Sequence, residues 1–232
     1  MSKLSIVATP IGNLEDITLR ALRTLKEADT VLCEDTRVTK KLLSHFDIKT
    51  TVKRCDAEKE MECARFVETL LESGKHVAYV SDAGTPGVSD PGARLVAYTR
   101  EHVPEATIEA VPGASSLTAA LSISGVQADA FTYLGFVPHK KGRQTFFEGL
   151  ASYEHPVVFF ESPHRILKTL ASLAEQLGEA QHHNSAINRT IVVLRELTKM
   201  HEEVVSGTPR EVLEYFEAHS ERVRGEFVVV VS

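Results

Sequence analysis

Short β-branched runs recur along the 232 residues, with helical patterns between them. Residues 4–8, 30–33, 76–80, 107–111, 131–134, 157–160, 191–194 and 227–231 read as strands, since apolar runs of this length suit buried extended chain. Between the first two, Ile17, Ala21, Leu22, Leu25 and Ala28 recur every three or four positions and mark one buried helical face. Similar spacing predicts helices near 59–73, 115–123, 166–177 and 210–216. Strands alternating with helices predict an α/β fold with a largely parallel sheet. The pattern pauses around 125–129 and a second alternating set begins at Phe131, which predicts domains over 1–125 and 126–232. Domains this small each lean on a neighbour or a second subunit for part of their core. Residues 178–189 are polar and non-periodic and read as a mobile loop.

Composition narrows the class. With 43% hydrophobic and 25% charged residues the chain reads as an ordinary globular protein, and no apolar run approaches a membrane span. Its start lacks the layout of a secretory signal, so the expected location is the cytoplasm, with no membrane partner. Cys33, Cys55 and Cys63 are odd in number and lack a CxxC pair; they read as reduced bystanders rather than a disulfide framework or a zinc site. The pair His182-His183 points apart along a polar stretch, and no metal is expected. A formal charge of −6 argues against holding nucleic acid by global electrostatics. Local basic stretches remain at 37–41, 139–143 and 222–224, each of which also reads as solvated surface.

The candidate chemistry sits where strands end. After the first strand comes Ala8-Thr9-Pro10-Ile11-Gly12-Asn13, a turn that fails both the GxGxxG and Walker patterns and by itself is only a tight turn. After the strand at 76–80 comes Ser81-Asp82-Ala83-Gly84-Thr85-Pro86-Gly87-Val88-Ser89-Asp90-Pro91-Gly92. Three glycines, two prolines, two aspartates and two serines exceed what a simple connector needs, and suggest a rigid binding loop. The competing reading makes Ser89 or Asp90 the N-cap of the next helix. Val111-Pro112-Gly113-Ala114-Ser115-Ser116 turns a strand into a small-residue helix whose first amides suit an anion, although Ser115 also reads as a plain N-cap. Glu34-Asp35-Thr36-Arg37, Glu161-Ser162-Pro163-His164-Arg165 and Arg195-Glu196-Leu197-Thr198-Lys199 offer acid/base and anion-binding groups at three further strand ends.

Taken together, these stretches, with Leu134-Gly135-Phe136 and Gly225-Glu226-Phe227, resemble the tetrapyrrole methylase superfamily. Within it they are similar to the ribosomal RNA small subunit methyltransferase I family, and 81–92 is the most specific segment. The resemblance implies two α/β domains with a cofactor cleft between them, S-adenosylmethionine as cofactor, and a homodimer. It implies that Pro10, Asp82, Thr85, Ser115 and Ser116 contact the cofactor from the first domain, and Leu197 and Glu226 from the second. The implied reaction is 2′-O-methylation of a cytidine ribose in the decoding region of 16S ribosomal RNA, on naked RNA or the assembled small subunit. Members commonly continue into a C-terminal helical extension, and this chain is expected to lack it. Loop 178–189 also reads as longer than the family's usual connection there.

Methyl transfer to a hydroxyl is an in-line displacement that rests mainly on positioning, plus disposal of one proton. Glu34, Asp35, Arg37, Glu161 and Arg165 are the candidates for a polar catalytic floor. Two alternatives predict different behaviour. A methyltransferase acting on a small tetrapyrrole would have no need of Lys140, Lys141 and Arg143, whereas a non-catalytic RNA- or nucleotide-binding module would retain RNA without methyl transfer.

Overall fold

The computed structural model describes residues 2–55, 60–89, 92–179 and 189–232. Most of the polar stretch at 178–189, with His182 and His183, lies outside the described residues, as do Asp90 and Pro91. The chain divides into two compact units, Met1–Ser115 and Ser116–Ser232.

The first unit contains β1 (Lys3–Val7), α1 (Leu19–Glu27), β2 (Thr30–Cys33), α2 (Thr36–His45), β3 (Thr51–Arg54), α3 (Glu60–Glu72), β4 (His76–Val80), α4 (Ala93–His102) and β5 (Thr107–Val111). Its sheet is wholly parallel, in the order β3-β2-β4-β1-β5. Parallel neighbours need long crossovers, which the helices provide, and both faces are therefore covered. The period of two sorts the side chains. Leu4, Leu32, Val77 and Tyr79 join Val67, Leu71 and Leu95 on the α3/α4 side. Val7, Val31, Cys33, Ala78 and Val80 join Ala21, Leu25 and Leu43 on the α1/α2 side. Buried strands thus read as unbroken apolar runs because each face has its own helical layer.

A polar patch interrupts the α1/α2 side at the amino ends of the strands. The buried Ser5 hydroxyl lies 2.8 Å from His76 Nε2 and donates to Glu109 Oε1 at 2.7 Å, while Lys3 pairs with the same carboxylate at 3.1 Å. The His76 amide donates to Asp29. Burial holds the His76 imidazole below its ordinary value. The Ser5 hydrogen bond, with help from Lys3 and against burial, holds Glu109 below its own. Both shifts mean that the unfolded chain takes up protons which the folded chain refuses. Stability is then full near neutrality and falls as pH drops, first through the ordinary imidazole range and later through the carboxylate range. Urea midpoints measured across mildly acid pH should show this fall, and His76→Gln should flatten its upper part. A variant profile that overlays the wild type there would remove the imidazole from the account.

The second unit contains α5 (Ser116–Ser124), β6 (Thr132–Phe136), α6 (Arg143–Leu150), β7 (Val157–Glu161), α7 (Ile166–Glu179), β8 (Ile191–Arg195), β9 (Glu203–Gly207), α8 (Pro209–Ala218) and β10 (Phe227–Val231). Its sheet runs β6-β7-β10-β8-β9, and only β6 and β7 are parallel. The largely parallel arrangement expected from the sequence therefore holds for the first unit only. The reason is β9, which returns beside β8 without a crossover helix, and β10, which inserts antiparallel between β7 and β8. Phe227, Val229 and Val231 pack with Leu170, Leu173, Val212 and Phe216, while α5 lies against β10 and β8. The pause in the pattern at 125–129 follows α5, whereas the change of packing partners precedes it.

Among the described residues no helix is long and apolar enough to cross a membrane. One expectation is corrected. Cys55, just past β3, and Cys63, in α3, form a disulfide, and only Cys33 is a free, buried thiol. Eight-residue spacing without a CxxC pair carries no local signature; the bond depends on β3 and α3 being brought side by side.

Candidate functional site

Because the first sheet is parallel, the turns after β1, β2, β4 and β5 leave one edge, and the strand order makes them neighbours. They are stitched together by the backbone. Thr9 and Gly84 exchange hydrogen bonds of 2.9 and 3.0 Å, and Ala8 N donates to Val111 O at 3.1 Å. Side chains add further ties: Thr9 Oγ1 donates to Ser81 O at 3.3 Å, and Thr85 Oγ1 to Ala114 O at 3.1 Å. Asp35 N donates to Asp82 Oδ1 at 3.0 Å. Gly84 has φ +80°, and a Cβ there would stand 3.3 Å from Ile11 Cγ2; one at Gly113 would stand 3.1 Å from Ala8 Cβ. These two glycines let three turns close up: Gly84 is buried against Thr9, while the exposed Gly113 leaves backbone, rather than side chain, at the rim.

Pro10, Asp82, Thr85 and Ser115 lie on this rim, Asp82 exposed and the others half-buried, and Ser116 opens α5. Glu34, Asp35 and Arg37 lie on it too. Asp35 caps α2 by accepting from Arg37 N at 2.8 Å and pairs with the exposed Arg37 guanidinium at 2.6 Å. Its carboxyl is lowered to about 2, first by the Arg37 side chain and then by the Arg37 amide. An aspartate so engaged is a cap and a weak proton acceptor. The N-cap of α4 is Gly92, with no side-chain cap bond, rather than Ser89; Asp90 lies outside the described residues.

In the second unit, β7 and β8 end where β10 begins, so their turns share an edge with the turn ahead of Phe227. Glu161 is sealed here, with no exposed side-chain surface. Its Oε1 accepts from Ser162 N at 2.7 Å and pairs with Arg165 at 2.7 Å. Its Oε2 accepts from Thr169 at 2.6 Å and lies 3.7 Å from Arg143. Arg165 also donates to Val137 O at 2.8 Å. The expected catalytic pair Glu161 and Arg165 is thus consumed in a buried network. The same network takes Arg143 out of the surface stretch 139–143, since that residue is only 9% exposed.

Beside it, Glu196 and Thr198 adopt positive φ of 52° and 65° around the buried Leu197. Glu196 Oε1 accepts from Glu226 N at 3.0 Å and Lys199 Nζ at 2.9 Å, and Lys199 also reaches Glu226 Oε2 at 2.9 Å. Burial pushes the Glu196 carboxyl up, but Lys199 and the Glu226 amide outweigh it and hold it below its ordinary value. Thr198 Oγ1 is buried and has no hydrogen-bond partner among the described residues. Two non-glycine residues at positive φ and a buried hydroxyl without a partner among the described residues are thus concentrated within three positions.

Residues 3–213 match the family described as Tetrapyrrole (Corrin/Porphyrin) Methylases. The chain belongs to that family. Relatives of this chain include the ribosomal RNA small subunit methyltransferase I of Thermotoga maritima, 41% identical over 233 residues and covering 100% of this chain and 99% of that protein. The proteins of the same name from Halalkalibacterium halodurans and Bacillus subtilis are 42% and 41% identical; 98% and 100% of this chain aligns with 75% of each of them. Among solved structures, a cobalt precorrin-4 methyltransferase is similar with a TM-score of 0.69 at 20% identity, covering 99% of this chain and 94% of that one. A uroporphyrin-III-C-methyltransferase from Thermus thermophilus has a TM-score of 0.65 at 22% identity, with coverage of 99% and 94%. These structural likenesses place the methylase in its α/β fold class.

Of the expected site residues, the methylase gathers Pro10, Glu34, Asp35, Arg37, Asp82, Thr85 and Ser115 on the rim of its first unit. Glu161, Arg165, Leu197 and Glu226 fall on the rim of the second. Sequence reasoning reached Glu196 and Thr198 only as members of the run 195–199, without a role of their own, and overlooked the inward turn of Arg143. The run Arg195–Lys199 was recognisable only as a charged strand end, because positive φ at a non-glycine leaves no compositional trace.

Proposed function

We propose that this chain is an S-adenosylmethionine-dependent methyltransferase that acts as a homodimer on small-subunit ribosomal RNA, at the 2′-hydroxyl of a cytidine ribose in the decoding region. The observation that carries the reading is the 41–42% identity, along essentially the whole chain, to relatives named for that activity. The residues present fit the cofactor. Backbone laid bare at the exposed Gly113 allows close approach of a flat or extended ligand, and Asp82 and Ser115 add polar groups on the same rim. Thr198 Oγ1 is a buried donor in want of an acceptor. Pro10, Thr85, Ser116, Leu197 and Glu226 complete the binding set.

When bound, S-adenosylmethionine supplies an electrophilic methyl group. The chain's own part is chiefly alignment, for which the hydrogen-bonded turns of the first unit are suited. Glu34, half-buried beside the Asp35 cap, is the carboxylate we assign to receive the ribose proton. Arg37, 86% exposed at its side chain, is placed to meet a phosphate. Asp35, Glu161 and Arg165 hold these elements in position.

Calorimetric titration of S-adenosylmethionine into the purified chain should give saturable heat, and Asp82→Arg should abolish it. The arginine removes the acceptor of the Asp35 amide and puts a cation on the rim. No heat from a folded wild-type chain would overturn the reading at its base.

A further inference from the structure

The second unit carries an exposed aromatic surface that its own packing does not use. Phe136, the last residue of β6, is 56% exposed. Its ring meets Phe160 edge-on with centroids 5.4 Å apart, and Tyr133 meets Phe160 at 5.2 Å. Gly135, with φ +68°, and the register shift between Tyr133 and Phe136 re-aim the end of the strand. Three rings therefore support one another, and the outermost is open to solvent.

The chain that follows is basic. From Ala130 to Phe147 there is no carboxylate, in a protein of net charge −6. His139, Lys140 and Lys141 are exposed, and none of their side chains has a hydrogen bond or ion pair among the described residues, although Lys140 O accepts from Arg143 N at 3.3 Å. The loop that bears them is held at both ends by the same buried carboxylate. Arg165, paired with Glu161, donates to Val137 O at its start, and Arg143, also beside Glu161, closes it. Two free lysines are thus presented from a fixed base next to an exposed ring.

We propose that Phe136 stacks a nucleobase of single-stranded RNA while Lys140 and Lys141 take the adjoining phosphates. This rests on the ribosomal RNA reading above and adds a contact surface to it. An aromatic face with neighbouring unpaired cations is the chemistry by which unpaired RNA is held. The charge complementarity selects RNA over a second copy of this acidic chain, and Glu161 acts as a positioning residue for the loop.

The test uses the full chain and a fluorescein-labelled oligocytidylate, read by anisotropy across a salt series, with cofactor calorimetry and sedimentation run in parallel. Phe136→Leu should weaken RNA binding about tenfold, the share expected of one base stacked on one ring, and Phe136→Trp should restore it. Lys140→Ala and Lys141→Ala should each lower the slope of log affinity against log salt by about 0.7. Cofactor heat should be the same in all four variants, because none of these residues belongs to the proposed cofactor-binding set. Wild-type RNA affinity in Phe136→Leu would overturn the stacking role, and a change of oligomeric state in that variant would assign the face to a second copy. If the wild type binds cofactor yet shows no affinity for RNA, the surface proposal fails alone; if it binds no cofactor, the methyltransferase reading fails first.

Discussion

Replacing Glu161 by alanine lowers the stability of the second unit by about 3–5 kcal/mol, the usual cost of removing one partner from a buried ion network. The carboxylate is wholly sealed and faces Arg143 and Arg165, whose side chains are only 11% and 16% exposed. Removing it strands two guanidiniums in a low-dielectric setting and deprives Thr169 and the Ser162 amide of their acceptors. Glu161→Gln keeps the shape and part of the hydrogen bonding but loses the charge, and should fall between alanine and wild type. The chain has no tryptophan, so urea unfolding is best followed by circular dichroism. With two units the unfolding curve can carry two transitions, and the prediction concerns the one that Glu161→Ala moves. An alanine variant unfolding at the wild-type midpoint would show that the network contributes little and would reopen a catalytic role for Glu161.

Gly225→Ala produces the second large effect. Gly225 sits at φ +86°, where an L-residue costs about 1–2 kcal/mol, and its new Cβ would overlap the carboxylate of Glu196. Glu196 is no free side chain that can swing aside: it holds the Glu226 amide and Lys199. The methyl group therefore breaks the tie between the turn after β8 and the turn before β10, and loosens Leu197 and Thr198 with it. Expected results are a lower thermal midpoint and weaker cofactor heat. Adding Glu196→Ala to the Gly225→Ala chain should return part of the stability, since the overlap is gone, while cofactor heat stays low. If the double variant is simply the sum of the two singles, the overlap is not the cause.

Much of the architecture was legible because buried parallel strands are continuous apolar runs. The strands beginning at Thr30, His76, Thr107 and Phe227 lie where the pattern puts them. β3 escaped because its sequence, Thr51-Val52-Lys53-Arg54, lies on an edge with three of its four residues exposed. β9 escaped for the same reason, being the opposite edge of the other sheet. Helix α2 hid within a basic stretch, since its buried residues are only Thr39 and Leu43. The turns at the strand ends announced themselves by glycine, proline and aspartate density, which is how chain chemistry records a tight turn. The partners of Glu161 left no such mark. A carboxylate beside Arg165 in sequence reads as a surface ion pair, and only the packing of α6 and α7 against the sheet shows that Arg143 reaches it from the other side.

The central position of β10 carries a consequence for the order in which the protein is made. β10 follows all the other strands in sequence, yet it lies between β7 and β8 and supplies the ladder that joins the two halves of the second sheet. A chain emerging from the ribosome therefore holds two separate half-sheets, each with a bare apolar edge, until Phe227–Val231 arrives. The first unit depends on no such late arrival: its strands all precede Ser115, and it can be complete while the second is still open.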